Sequence, residues 1–505
     1  MAANGGFGSK LPPLSPTNAA DIRSDAANTG ASVMQSQHFH CAPTAVRRSN
    51  PDRSAFAALI ATAAVAIASM LPTIVAAQTP GALDANFALG NGKVPAIAMG
   101  TGSARVQSTV VQPDGKIVLF GYCSNGTNND FCVARLNPDG NLDSSFVGPS
   151  GNGNGKAIVA IGNGDDIGQS VALQPDGKLV LLGYCSNGTD NDFCFARLMP
   201  DGTLDGSFTG PSGVAAGKFL VPVGSSTDTG RALLLQPDGK VVAVGYCTTS
   251  NPDFCAVRLT PTGALDAAFS GPGALGAGKV LFPVGSSNDF AHAAALQPDG
   301  KIVMVGACAV AAVNQLCAAR LDASGALDST FNGPAANGAG KFLFAIGSAD
   351  GGALGVAVQP DGKLVLAGSC SNGTNTDFCF ARLNGADGSF DVSFDGPGGS
   401  GNGRFVISLT AAFDNAQAVA VTVDGKILAA GTCANNFCLA RINADGTLDT
   451  TFAGGAGTTV FSVGPGNEFQ FGLAVQQDGK AVVAGGCITA AVENFCVARL
   501  YGGPY

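Results

Sequence analysis

Six acidic residues recur at one place in a repeating chain, and they are the first candidates for chemistry. Asp166, Asp228, Asp289, Asp414 and Glu468 each stand 12 residues before the Lys of a repeated Gly-Lys step, and Asp350 stands 13 before its own. The first unit has Ala104 at this place, with Arg105 beside it. Acids gathered from equivalent loops would focus negative potential and suit a small cation such as Ca²⁺, or a basic segment of a partner. The plainer reading is that they form Asx-type turns, and the sequence leaves both open. Conventional catalysis finds few parts. His292 is the only histidine beyond residue 40 and has no counterpart in the other units. A Ser-His-acid arrangement needs a His oriented by an acid, so His292 is expected to be a solvated or satisfied strand-edge residue. Trp is absent, which weakens any aromatic box for cations or sugars.

The cysteines carry a second signal. Fourteen of the 15 form seven close pairs: Cys123 with Cys132, Cys185 with Cys194, Cys247 with Cys255, Cys308 with Cys317, Cys370 with Cys379, Cys433 with Cys438, and Cys487 with Cys496. The fifteenth, Cys41, lies near the N-terminus. An even set with none left over predicts seven local disulfides and an oxidising compartment. Thiolate metal sites are the alternative, but they need four converging ligands and His is scarce. No pair is Cys-x-x-Cys, so a redox role is not expected.

The N-terminal region agrees with export. Ala55 to Leu71 is an apolar run preceded by Arg47, Arg48 and Arg53, and Val75-Ala76-Ala77 offers small residues before Gln78. This is the layout of a signal peptide. Residues 1–46 are read as an extension or a start-site artefact, 47–77 as the signal peptide and 78–505 as the folded protein, secreted or periplasmic with no membrane span. The chain has 27 Lys and Arg against 36 Asp and Glu. That balance argues against nucleic acid, which wants a basic surface.

The elements that must position these residues follow from the period. Lys116, Lys178, Lys240, Lys301, Lys363, Lys426 and Lys480 mark units of 54 to 63 residues. Within one unit, Lys178–Cys185, Phe193–Leu198, Gly217–Gly224 and Arg231–Gln236 read as four short strands joined by turns such as Pro237-Asp238-Gly239. No stretch carries an apolar 3.6-residue period. Seven units of four antiparallel strands predict an all-β, seven-bladed β-propeller. The ends predict how it closes. A Leu-Asp-x-x-Phe hook ends at Phe146, Phe208, Phe269, Phe331, Phe394 and Phe452, and the seventh copy is Leu83 to Phe87 at the other end of the chain. The last blade is therefore expected to take three strands from the C-terminus and one, near Lys93 to Met99, from the N-terminus. Each unit also repeats an Arg (Arg135, Arg197, Arg258, Arg320, Arg382, Arg441, Arg499) and a hook Asp, which predicts an Arg-to-Asp or Arg-to-carbonyl clamp within each blade. In this fold the six acids should be solvent-facing around one mouth of the central channel, on the face of the cysteine loops.

Val111-Gln-Pro-Asp-Gly-Lys116, then Phe131-Cys-Val-Ala-Arg135-Leu136, then Leu142-Asp143-x-x-Phe146 resembles the bacterial delta-60 repeat, over nearly all of residues 79 to 505. The resemblance implies a secreted, NHL-like propeller and carries over no catalytic residue. This chain departs from the pattern in its paired cysteines, in Val423-Asp424 where Gln-Pro-Asp is usual, and in the short 433–438 loop. The function expected is a binding or structural scaffold for a protein or cell-surface component, with no cofactor required and Ca²⁺ as the one candidate ion. The alternative is a metal-dependent hydrolase or lyase with an axial site.

Overall fold

The short apolar runs after each Gly-Lys step, rich in Val, Ile and Leu, form strands because branched side chains pack well on a pleated, buried surface. The turn before each Lys is set locally. Asp114 accepts the Lys116 amide at 3.1 Å, and Gly115 takes the left-handed conformation (φ 81°) that closes it. The computed structural model describes residues 78–503 apart from 150–153, 212–215, 274, 311–312, 336–338, 348–349 and 399–400, so the extension, the signal peptide and Cys41 lie outside the described residues.

The described strands form seven sheets, each of four antiparallel strands, and the molecule is a seven-bladed β-propeller. The first blade runs outward as Ala104–Val111, Ile117–Ser124, Asn129–Leu136 and Lys156–Val159. Five more blades repeat that order. The seventh is composite: Glu468–Val475, Ala481–Thr489 and Val492–Leu500 are completed by the N-terminal strand Lys93–Ile97, which pairs Lys93 with Ala498 and Val94 with Val497. The innermost strands touch their neighbours all the way round, and Ala104–Val111 meets Glu468–Val475 to close the ring.

The hydrophobic core lies between blades, in seven clusters that each draw on two neighbours. The cluster at the seam joins Phe87, Ile97 and Met99 to Val106, Ile117, Phe495 and Val497. The Arg clamp is both intrablade and interblade. Arg320 donates Nε to Asp328 at 2.9 Å, lies 4.4 Å over the Phe331 ring, and reaches the Gly385 and Ala386 carbonyls of the next blade. Arg197 and Arg258 do the same with Asp205 and Asp266 at 2.8 Å and with the Pro261 and Ala323 carbonyls. The repeat pattern predicts a clamp confined to one blade, whereas the guanidinium's fork of donors spans two.

The cysteines pair as their spacing predicts. Seven disulfides join Cys123 to Cys132, Cys185 to Cys194, Cys247 to Cys255, Cys308 to Cys317, Cys370 to Cys379, Cys433 to Cys438, and Cys487 to Cys496. Each links the second and third strands of its own blade, with Cα atoms 5.7–5.8 Å apart. The first cysteine of each pair also faces the innermost strand: Cys123 stands opposite Ala104 and Cys185 opposite Asp166. The second packs on the outermost strand, as Cys132 does opposite Ile158, Cys194 opposite Leu220, Cys255 opposite Leu281, Cys317 opposite Leu343 and Cys379 opposite Val406. Cys496 lies next to Phe495, which meets Ile97 of the N-terminal strand. All fourteen are fully buried, so the bridges sit inside the blades and are shielded from solvent thiols.

Candidate functional site

Each innermost strand carries a β-bulge, and that single device builds the axial site. In the first blade Val106 pairs with Gly121 and Ser108 with Phe120, leaving Gln107 without a partner. The bulge falls at the same register in all seven blades, and the residues it leaves out are Gln107, Gln169, Arg231, His292, Leu354, Gln417 and Phe471. A bulge breaks the ladder and re-aims its extra residue. Opposite every bulge stands a Gly: Gly121, Gly183, Gly245, Gly306, Gly368, Gly431 and Gly485. A Cβ at any of them would come within 1.8–2.1 Å of the backbone carbonyl two residues before the bulge residue. Only Gly admits the close approach.

The seven bulge residues together line one axial well of about 290 Å³. Its lining contains a single formally charged side chain, Arg231, and no carboxylate. Arg231 donates Nη1 to the Gln169 Oε1 at 3.0 Å and lies 5.6 Å from the Tyr246 ring centroid, while its Nε is buried without a partner. Among the described residues no carboxylate is paired with it. The His292 imidazole, next round the ring, is pushed down to about 3, first by burial and then by the Arg231 charge. It is therefore neutral at ordinary pH. Across the well, Leu354, Gln417 and Phe471 supply an apolar and amide side.

Two grooves lead from the well toward the cysteine-loop face. One, of about 290 Å³, shares Gln417 and Phe471 with the well and runs past Phe469 and the exposed Phe413 beside the shortened 433–438 loop. The other, of about 240 Å³, shares His292 and Leu354 and passes Asp350, Gly351, Gly352 and Ser369. At the seam, Arg105 is held by Glu493 in a bidentate pair at 2.6 and 2.9 Å and lies 5.0 Å from the Phe469 ring centroid. Its charge is thereby neutralised. The opposite mouth carries a recess of about 640 Å³ among the turns at Pro237, Pro298 and Pro360, lined by no charged side chain, and another of about 470 Å³ at the Pro113 and Gln477 turns, lined by Asp114, Asp478, Lys480 and Arg499.

Five of the six acids expected to face solvent do not. Asp166, Asp228, Asp289, Asp414 and Glu468 are each 0% exposed. Their carboxylates accept backbone amides from the loop that enters the strand: Ile161 at 2.6 Å for Asp166, Val223 at 2.7 Å for Asp228, Val284 at 2.6 Å for Asp289, Leu409 at 2.7 Å for Asp414 and Val463 at 2.7 Å for Glu468. A carboxylate satisfies two adjacent amides at once, so these residues tie the crossing loop between blades. Asp350 belongs to a different place. Gly351, not Asp350, pairs with Cys370 as Asp166 pairs with Cys185, and Asp350 is exposed, accepting the Asn314 amide at 2.8 Å. His292 lies on the edge strand of its blade, and the bulge there brings it to the axial well. The acids and the bulge residues are three positions apart on the same strands, as Asp228 is from Arg231. Among the described residues, no three His, Cys, Asp or Glu side chains converge in a group able to hold a metal ion.

Burial pushes the Asp166 and Asp228 carboxyls up to about 6, against the loop amides and with repulsion from Asp130 and Asp192 adding to the rise. The hook acids go the other way. Burial alone would raise Asp143, but the Ser145 hydroxyl and amide and the Arg135 guanidinium hold it down at about 2, and Asp205, Asp328, Asp391 and Asp449 are lowered too. The sign of the pH dependence follows. As pH falls through about 6, native Asp166 and Asp228 take up protons that the unfolded chain takes up only near 3.8, so stability rises. Below about 4 the unfolded chain takes up protons that the native hook acids, held lower by their partners, do not, and stability falls. The melting temperature should therefore rise between pH 7 and 4.5 and drop below about pH 3.5. Asp166→Asn with Asp228→Asn should flatten the rise. A melting temperature that falls steadily from pH 7 to 4.5 would contradict this assignment.

Six stretches, residues 112–146, 174–208, 236–269, 297–331, 359–394 and 424–452, match the family described as Domain of unknown function (DUF5122) beta-propeller. These stretches are similar to that family's repeats, and the fold they lie in is a β-propeller. Each match ends at a hook Phe, so the family's unit is a turn, two strands and the hook. No curated protein matches the chain. Solved structures similar to it include the catalytically inactive virginiamycin B lyase from Staphylococcus aureus with quinupristin, at 10% identity and TM-score 0.47, covering 80% of this chain and 98% of the lyase. The polysaccharide lyase Uly1 is similar at 12% identity and TM-score 0.44, covering 82% and 93%. The propeller domain of the Trilobed protease from Pyrococcus furiosus is similar at 11% identity and TM-score 0.40, covering 80% and 100%. At this distance these likenesses lend no residue roles to this chain.

Proposed function

We propose that this chain is an exported binding propeller, in which the disulfide-closed blades are the scaffold and the axial well is the ligand site. One observation supports the reading above the others. Gly, Cys, Arg, hook Asp and hook Phe return nearly unchanged in the seven units, while the bulge position holds Gln, Gln, Arg, His, Leu, Gln and Phe. A position that only builds scaffold would take one best residue in every blade. A position that reads an asymmetric ligand on a sevenfold axis takes different ones. The well also has the concave shape and the mixed polar and apolar lining of small-molecule sites. Seven buried disulfides fit an extracellular or periplasmic setting, and among the described residues no helix is long and apolar enough to cross a membrane.

A hydrolase or lyase working on the axis is the second reading, and His292 is the observation in its favour. It sets an imidazole next to a guanidinium on the axis, two side chains that acid–base chemistry employs. It ranks below binding because burial and the Arg231 charge hold that imidazole at about 3, far below the pH at which a general base works best.

The test is a thermal-shift panel of Ca²⁺, sugars, amines, neutral amides and carboxylates on the native protein and on Leu354→Trp, which fills the well. At least one class should raise the melting temperature of the native protein and leave the filled variant unmoved. Equal responses in both, or none in either, would remove the well as the ligand site.

A further inference from the structure

The charges of the well select its ligand more narrowly than its shape does. Arg231 brings a positive charge to the axis and meets no carboxylate there, and its Nε is buried without a hydrogen bond. An uncompensated charge in a confined site is costly, and a partner of opposite sign relieves that cost. The other guanidinium nearby cannot share the task, because Arg105 is already paired with Glu493. His292 adds no charge. The site therefore offers one positive charge, which matches a monoanion better than a dianion such as a phosphate monoester. Gln169 holds Arg231 in place by accepting from Nη1, so the guanidinium edge is positioned before any ligand arrives.

The rest of the ring describes the body of that ligand. Arg231 belongs to the third blade and Phe471 to the seventh, so they face each other across the axis, with Leu354 of the fifth blade alongside. The groove shared by Gln417 and Phe471 continues the apolar side past Phe469 to Phe413, which is 64% exposed. Building on the axial-well reading, we propose that the well binds a small organic carboxylate with an apolar or aromatic body. The carboxylate lies on the Arg231 guanidinium in a charge-assisted pair, and the body lies against Leu354 and Phe471.

Calorimetry at low salt with four probes tests this. The probes are 3-phenylpropionate, its neutral amide, 3-phenylpropylamine and propionate. The phenylpropionate should bind at least tenfold more tightly than the amide and propionate, and the amine should not bind. Arg231→Gln should lose at least tenfold for the acid while leaving the amide unchanged, and Arg231→Lys should recover part of the loss. Leu354→Trp should abolish binding of the acid. Binding of the amide or amine as tight as that of the acid, lost in Leu354→Trp, would overturn the carboxylate assignment and leave the well as the ligand site. Unchanged affinity in Arg231→Gln, or no binding of the acid at all, would also overturn it.

Discussion

Reduction of the seven disulfides should unfold this propeller at ambient temperature. Each bridge closes a loop of eight, seven or, at Cys433–Cys438, four residues between its cysteines. Chain-entropy arguments assign a loop of this size roughly 2–3 kcal/mol. Seven such contributions, about 14–21 kcal/mol, match or exceed the roughly 5–15 kcal/mol of net stability that a folded domain commonly keeps. The chain depends on them because Gly makes up 72 of its 505 residues, and ordering Gly costs more backbone entropy than ordering any other residue. Circular dichroism with increasing dithiothreitol under mild denaturant should show cooperative loss of the β signal. Replacing one pair by Ser, such as Cys185 with Cys194, should destabilise less than full reduction. Replacing Cys433 with Cys438 should destabilise least, since that loop is shortest. A fully reduced protein that melts where the oxidised one does would contradict this reading.

Deleting residues 78–100 should have the second largest effect. The deletion removes the outer strand of the last blade and the buried Phe87, Ile97 and Met99 from the seam cluster. It also removes Asp84, which is 0% exposed and accepts from Arg499 Nε at 2.8 Å and from the Tyr501 hydroxyl. The three apolar side chains represent about 1.5–3 kcal/mol each. Stranding the buried Arg499 without its partner costs about 3–5 kcal/mol more. The strand Val492–Leu500 would become an open, apolar edge. Loss of the cooperative melt, with self-association in size-exclusion chromatography, is expected. Asp84→Asn isolates the charge term and should destabilise by about 3 kcal/mol without self-association. A truncated protein with the melting temperature of the intact one would mean that the ring closes without its N-terminal strand.

The fold was legible because the repeat writes the same local instructions seven times. Pro-Asp-Gly fixes a turn, the Leu-Asp-x-x-Phe hook fixes a corner, and the paired cysteines bracket a hairpin. The hook at Leu83 to Phe87 marks the N-terminal strand as the missing member of the last blade. The site was less legible, because charge alone does not establish equivalence between units. Asp228 and its counterparts look available in sequence. In three dimensions their side chains turn into the loop they cap, since two free amides lie within reach at positions four and five residues earlier. Asp350 shares their sign, although Gly351 holds the register. The real axial residues sit nine before each repeat Lys, as Arg231 does before Lys240. A signal for them was present: an isolated Gly within the second strand, two before the first cysteine of every pair, is the mark of a bulge on the facing strand. His292 looks like an irregularity in sequence, because only the bulge shows that irregularity is the rule at that position.

The varied bulge residues are proposed to form a ligand site on the axis, and a crystal structure of the protein grown with 3-phenylpropionate tests that proposal most directly. Density for the probe is expected inside the well, with the carboxylate on Arg231 and the ring against Leu354 and Phe471. Probe density only at the outer rim or among the loops capped by Asp166 and its counterparts, with none in the axial well at saturating probe, would contradict it.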